Sequence, residues 1–270
     1  MKRLKQRYKY SLILLKQLVK TDFKIRYQGS ALGYLWTLLR PLALFTILYI
    51  VFVKFLRVGD GIPHFPVYLL LGIVFWNFFV EVTLGSVGAI VSKGDLMRKL
   101  SFPRYVIIVA GSFSASINLM INMVVVFLFM VLNQVPLRPN ALLTVFPLIE
   151  LFIFSLAIGL LLSALYVRFR DINYIWEVAL QAGFYATPIL YPITLVMDMS
   201  LVTAKILMLN PMAQIIQDAR SFLVTDQTQT IATIYGTSWM RLVPVTVVIV
   251  CAVVSVWYFK KRSPYFAEEV

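Results

Sequence analysis

The chain has 270 residues, 60% of them hydrophobic and 14% charged, with a mean hydropathy of +0.84. Soluble domains are about 45–50% apolar and about 25% charged, so a water-soluble globule and a disordered chain are both excluded, and the sequence reads as an all-α integral membrane protein. Twenty-five Lys and Arg against 12 Asp and Glu give a net charge of +13, which in so apolar a chain reads as cytoplasmic anchoring rather than as nucleic-acid binding.

Residues 1–31 form a charged N-terminal segment. Its charged part is too long for a signal peptide, and no small-residue cleavage site follows a short apolar core. Over residues 9–27, Lys9, Lys16, Lys20 and Lys24 fall in a sector about 80° wide at about 100° per residue, with Leu12, Leu15, Leu18, Val19 and Phe23 outside it. This pattern predicts an amphipathic helix in the headgroup layer. It serves as a simple anchor for the first span or turns its lysines to anionic lipid or a cytoplasmic partner.

A transmembrane domain over residues 32–260 follows, with six expected spans: Leu35–Phe55, Tyr68–Val91, Tyr105–Leu132, Leu142–Val167, Tyr174–Tyr191 and Leu242–Phe259. Each is near the roughly 20 residues that a bilayer core about 30 Å thick requires. Extended apolar runs favour helices over a barrel, whose strands alternate over about ten residues. Nineteen of the 25 Lys and Arg fall on the side that carries both ends of the chain and six on the other. The positive-inside rule therefore predicts cytoplasmic termini, including a tail over residues 261–270.

Between the last two spans, Pro192–Arg241 is rich in apolar residues. Leu201–Leu209 is too short to span, and Asn210-Pro211 offers an N-cap followed by proline at the first helical position of a helix to about Val224. Two short helices dipping into the outer leaflet are expected, with a small external cap as the alternative.

Chemical motifs are sparse. Cys251 and His64 are single, so neither an intrachain disulfide nor a metal site is expected. There is no G-x-x-x-x-G-K-[ST] phosphate loop, and the dipeptide Gly-Lys does not occur. No G-x-S-x-G, H-E-x-x-H or paired-carboxylate motif points to catalysis, so no catalytic residue is assigned. Glu81, Glu150 and Glu177 lie inside expected spans. There an acid is a functional candidate by default, or else sits near an interface or bonds to a neighbouring helix.

Several segments together form a recognisable series. Residues 27–36 (YQGSALGYLW) with Arg40-Pro41-Leu42 resemble the entry to the first span of ABC-2-type permeases that export polysaccharides. Residues 93–104 (KGDLMRKLSFPR) are similar to their loop between spans two and three, and Arg168-Phe169-Arg170-Asp171-Ile172 to the loop between spans four and five. Residues 184–191 (FYATPILY), Leu209-Asn210-Pro211-Met212 and residues 263–268 (SPYFAE) complete the match, in order and over nearly the whole chain. The resemblance is to the permeases of O-antigen, teichoic acid and rhamnose-rich polysaccharide exporters.

The resemblance implies a half-transporter in the bacterial inner membrane that pairs with itself and with two copies of an ABC ATPase. ATP and Mg would be bound by the ATPase, with no cofactor in this chain and no nucleic-acid partner. It implies that Asp95, Leu96, Arg98, Lys99 and Arg104, with Arg170 and Asp171 as a smaller contact, couple to the ATPase. Otherwise these cations only fix topology, and Asp171 is a salt-bridge partner or helix N-cap. The implied cargo is an undecaprenyl-pyrophosphate-linked glycan. Arg26 and Arg40 would receive its pyrophosphate, because a guanidinium can bond two oxygens at once; the other reading of Arg40 is snorkelling to the headgroups. Of 39 aromatic residues, Trp36, Tyr49, Phe52, Trp176, Phe184, Tyr185 and Tyr191 are candidates for a glycan conduit. Pro188, Asn210 and Pro211 are candidates for an outer gate. An ion-coupled secondary carrier would want mid-membrane acid or histidine relays and an inverted repeat. A membrane-embedded transferase would want a catalytic cluster. An ABC-2 exporter of another lipid-like substrate is a further alternative.

Overall fold

A computed structural model of the chain describes residues 12–21, 33–59, 61–95 and 102–266. Among these residues the secondary structure is entirely helical. Five helices are long and apolar enough to cross a membrane, covering Trp36–Phe55, Phe65–Val87, Tyr105–Leu132, Pro139–Arg168 and Ser238–Tyr265. We label the helices α1 (Trp36–Leu48, widening to a π-helical stretch Tyr49–Phe55), α2 (Phe65–Val87), α3 (Ala89–Ser92), α4 (Tyr105–Leu132), α5 (Val145–Arg168, entered by a 3-10 turn Pro139–Thr144) and α6 (Ile172–Ala186). They continue with α7 (Ile193–Met199), α8 (Leu201–Met208), α9 (Pro211–Leu223), α10 (Ile231–Tyr235) and α11 (Leu242–Arg262, entered by a 3-10 turn Ser238–Arg241).

The expected fifth span, Tyr174–Tyr191, takes a different form. Its helix, α6, has 15 residues and is about 22 Å long at 1.5 Å per residue, short of a hydrocarbon core about 30 Å thick. It stops at Thr187, whose backbone is extended in front of Pro188, as the residue before a proline prefers. At the N-terminus, residues 12–21 are helical, with Lys16 and Lys20 exposed and Leu15, Leu18 and Val19 half-buried. Lys9, Phe23, Lys24 and Arg26 lie outside the described residues, as do Leu96, Arg98 and Lys99.

α2 is the centre of the bundle. It is apolar on every side, and nearly every residue from Val67 to Phe79 is buried, as a helix without a polar face must be. α5 packs beside it through a ladder of small buried residues, Ser155, Gly159 and Ser163, at intervals of four. A Cβ on Gly159 would lie 2.6 Å from Ser86 Oγ on α2, so the approach requires glycine. Small residues at such spacing let membrane helices come close enough for dispersion forces to hold them. Glu81 of α2 accepts a hydrogen bond from Asn118 Nδ2 of α4 at 2.7 Å, and Phe45 of α1 packs edge-on against Phe129 of α4 at 5.4 Å. The outward faces of α4 and α11 (Val124, Phe127, Leu128; Ile249, Val250, Val253) are exposed and apolar, as lipid contact demands.

The two ends of the bundle differ. At one end a cluster of Ile90, Ile107, Ile108, Leu160, Val167, Phe259 and Phe266 joins α3, α4, α5 and α11. Lys93, Arg104, Arg168, Arg170, Lys260, Lys261 and Arg262 lie beside it in sequence, and we call it the basic end. At the other end α7–α10 fold over a smaller cluster of Ile193, Ala204, Met208, Ala213, Ile231 and Ile234. The expected helix from Pro211 is present as α9. The Asn210 side chain accepts from Met212 N at 3.0 Å, and Pro211 occupies the first helical turn. α8 begins at Leu201, as expected, and Ser200 caps it by accepting from Thr203 N.

Candidate functional site

α9 is amphipathic, yet its polar face is turned inward, and every residue from Pro211 to Arg220 is buried. Arg220 is 0% exposed. Its Nε donates to Tyr68 O at 2.9 Å, Nη1 to Pro188 O at 2.6 Å and Gln217 Oε1 at 3.0 Å, and Nη2 to Ile189 O at 2.8 Å. The guanidinium lies 3.6 Å from the centroid of the Tyr68 ring, and Tyr68 OH donates to Gln217 Oε1 at 2.9 Å. Burial pulls the guanidinium's hold on its proton down, but Arg stays charged in proteins. Here the charge is spread over three carbonyls, an amide oxygen and a π face. Gly72 makes the room, because a Cβ there would lie 2.5 Å from Arg220 Nη2.

The chemistry of this clasp is that of a broken helix. Where α6 stops, the carbonyls of Pro188 and Ile189 have no helical partner, and an unpaired buried carbonyl costs about 1–3 kcal/mol. Arg220 supplies the donors from another element, and Asn210 Nδ2 adds a bond to Thr187 Oγ1 at 3.3 Å. Of the residues singled out from sequence as gate residues, Pro188 gives its carbonyl to Arg220, Asn210 bonds the neighbouring Thr187, and Pro211 begins α9. A second polar group lies on the other flank of α9. Gln214 Nε2 donates to Asp218 Oδ2 at 2.7 Å and, more weakly, to Glu150 Oε2 of α5 at 3.4 Å.

The aromatic candidates divide. On α6, Trp176 and Phe184 turn inward. Trp176 Nε1 donates to Thr83 Oγ1 of α2 at 3.1 Å, and Phe184 packs on Trp76 at 6.0 Å. Gly183 fits below Trp76, where a Cβ would come within 2.9 Å of the indole. Tyr185 is 66% exposed, and Tyr191 OH donates to its carbonyl at 3.0 Å. On α1, Trp36 is exposed, whereas Tyr49 and Phe52 are half-buried, with the Phe45 ring tilted against Tyr49 at 5.7 Å. Among the described residues no ring contact joins the α1 group to the α6 group. Arg40 is exposed on α1, and Pro41 beside it is buried. Of the other internal acids, Glu177 accepts from Asn173 Nδ2 of its own helix at 2.6 Å.

At the basic end Asp95 is exposed, and Arg104 lies 6.0 Å from the Phe266 ring centroid. Arg170 stands over Tyr166 at 5.1 Å, and Arg168 over Phe169 at 5.2 Å. Asp171 occupies the N-cap position of α6, but its side chain makes no capping bond. The described coupling candidates Asp95, Arg104, Arg170 and Asp171 therefore share one end, on loops held together by the Ile90–Phe266 cluster.

The family model for the ABC-2 type transporter matches residues 13–224, which takes in every helix from α1 to α9. The chain belongs to this family. It is similar to the O-antigen export system permease protein RfbA of Myxococcus xanthus, 31% identical over 264 residues and 97% of each chain. An O-antigen export system permease protein RfbA of Klebsiella pneumoniae is 29% identical over 265 residues, covering 96% of this chain and 95% of that one. With five helices long and apolar enough to cross a membrane, this ABC-2 chain is a multi-pass membrane protein.

Sequence reasoning placed Arg220 among the six cations of the less basic side and gave it no further role. A signal was present: Gln214, Gln217, Asp218 and Arg220 recur at helical spacing in a segment flanked by apolar residues. In a soluble protein that stripe would face water. In this ABC-2 fold it faces α2 and α5, because the apolar face of α9 has other surfaces to cover.

Proposed function

We propose that this chain is the membrane-spanning subunit of an ATP-driven exporter that carries an undecaprenyl-pyrophosphate-linked polysaccharide across the bacterial inner membrane. The observation that carries the reading is the match to O-antigen export permeases over 97% of both chains. The absence of a phosphate loop from this sequence supports ATP hydrolysis by a separate ABC ATPase. Two copies of the chain pair, since six spans are too few to surround a polymer. The fifth crossing is α6 together with the 187–191 segment, and α7–α10 lie on the outer face with both termini in the cytoplasm.

In this reading the basic end grips the ATPase through Asp95, Leu96, Arg98, Lys99 and Arg104, with Arg170 and Asp171 as the smaller contact. Rigid-body movement of these loops reaches the spans through the Ile90–Phe266 cluster. Arg26 and Arg40 receive the pyrophosphate at the inner leaflet, and an exposed Arg40 is available for that task. Tyr185 and Trp36, the most exposed of the aromatic candidates, offer ring faces on which sugars slide without directional bonds. Pro188, Asn210 and Pro211 form the outer gate, with Arg220 as its clasp.

The test is reconstitution of the chain with its co-purified ATPase into vesicles loaded with a lipid-linked glycan. ATP should render the glycan accessible to an external lectin, and the chain without the ATPase should neither hydrolyse ATP nor move glycan. ATP-independent movement driven by an ion gradient would replace this reading with that of a secondary carrier.

A further inference from the structure

The second polar group on α9 has a feature that the clasp lacks. Glu150 and Asp218 approach each other across Gln214, whose single NH2 group serves both carboxyls. Gln214 is 3% exposed and Asp218 6% exposed. Among the described residues, Glu150 Oε1, Asp218 Oδ1 and Gln214 Oε1 are all buried without a hydrogen-bond partner. The group therefore holds three buried acceptor atoms for which it supplies no hydrogen. An ionised carboxylate buried with one oxygen unbonded is costly, and a second one beside it is more so, because like charges at short range cannot both ionise cheaply. Burial pushes the Asp218 carboxyl up from its ordinary value, while Gln214 and the Arg241 charge pull it back.

One hydrogen relieves most of this. A proton on the pair turns one bare carboxyl oxygen into a donor, for which Gln214 Oε1 is the vacant acceptor. The Gln214 amino group is then left for the remaining carboxylate. The charged groups acting on the pair are few. Glu150 comes from α5, Asp218 from α9, and Arg241 from the turn before α11. The Arg220 side chain, two residues on, is committed to Tyr68, Pro188 and Ile189. The Pro139–Thr144 turn, which also packs on α9, carries no charge.

We propose that Glu150, Gln214 and Asp218 form a buried proton-binding site in which the two carboxyls share one proton and, by holding it, fasten α9 to α5. Loss of the proton to water leaves two adjacent carboxylates, whose repulsion loosens α9 from the bundle. The site ties the outer gate to pH, and in this it rests on the export reading; the existence of the proton does not.

The experiment uses the full-length chain in detergent. Its infrared spectrum should contain a protonated carboxyl band at neutral pH that is absent from the E150Q/D218N double variant. The thermal midpoint should be followed from about pH 5 to about pH 9, above the ordinary carboxyl values of about 3.9 and 4.3. The folded pair holds more protons than the unfolded chain, so stability is present at the acid end and lost as pH rises. The folding equilibrium of the wild type should fall by up to about tenfold per pH unit relative to the double variant, one proton's worth. Should the double variant not fold, Glu150→Gln and Asp218→Asn are measured singly, and at least one should lose the band. No protonated carboxyl in the wild type, a band unchanged in every folded variant, or an identical pH slope would each overturn the proposal. A chain that shows the band yet moves no glycan would overturn the export reading and leave the proton site standing.

Discussion

The two ends of the bundle hold their charged groups in opposite ways. At the basic end Arg168 and Arg170 reach outward over single rings, with solvent screening them. At the other end Arg220, Gln217, Gln214 and Asp218 are enclosed, with the guanidinium bonded on every nitrogen. Exposed charges contribute little to stability and remain available to a partner. A buried charge contributes specificity only when its whole hydrogen-bonding capacity is met, and removing it strands the groups it served. One end therefore leaves its charges open to solvent, and the other holds a helix break in place.

The comparison is tested most severely at Arg220. Arg220→Met should cost at least about 3 kcal/mol, since it strands the carbonyls of Tyr68, Pro188 and Ile189 in an apolar site. The measurement is the thermal midpoint and folded yield in detergent, with Arg220→Lys recovering part of the loss because it keeps the charge without the fork. A neutral effect would mean that the clasp does not hold the break. Gly72→Ala comes next. Its new methyl falls 2.5 Å from Arg220 Nη2, and an overpacked core loses about 1–3 kcal/mol. The loss should vanish when Arg220 is already Met, a coupling that a double-mutant cycle reads directly.

At the basic end the expected signature is reversed. Asp95 is exposed, so Asp95→Ala should leave the thermal midpoint within about 0.5 kcal/mol of wild type while ATPase-driven export falls in the reconstituted system. Full export by this variant would remove Asp95 from the coupling surface. The smallest effect belongs to Arg138 and Asp226, an ion pair at 3.0 Å with Asp226 74% exposed. Arg138→Ala should cost about 0–1 kcal/mol and lose that difference in high salt. A larger, salt-independent cost would show that this loop pair belongs with the enclosed groups.

Much of this molecule was legible from the order of its residues. The limits of α1 and α4, the start of α9 at Pro211 and its Asn210 cap follow from local causes: apolar run length, a proline and a side chain that bonds the backbone two residues on. The membrane setting follows from composition, because so apolar a chain cannot hide its surface in water. Motifs in chain order carried the ABC-2 resemblance that the family match bears out.

What sequence could not decide was which polar groups face one another. The stretch over 174–191 has enough apolar residues for a span, yet α6 ends at Ala186, because Pro188 forbids continuation and a guanidinium 32 residues downstream donates to the freed carbonyl of Pro188. Glu81 and Glu150 read alike as acids in apolar runs. Only packing gives one an asparagine from α4 and sets the other beside a second buried carboxyl. The physical reason is range. Helix length, caps and hydropathy are set within a few residues, whereas the bonding of Arg220 depends on Tyr68, 152 residues away, and on a glycine that leaves room for it.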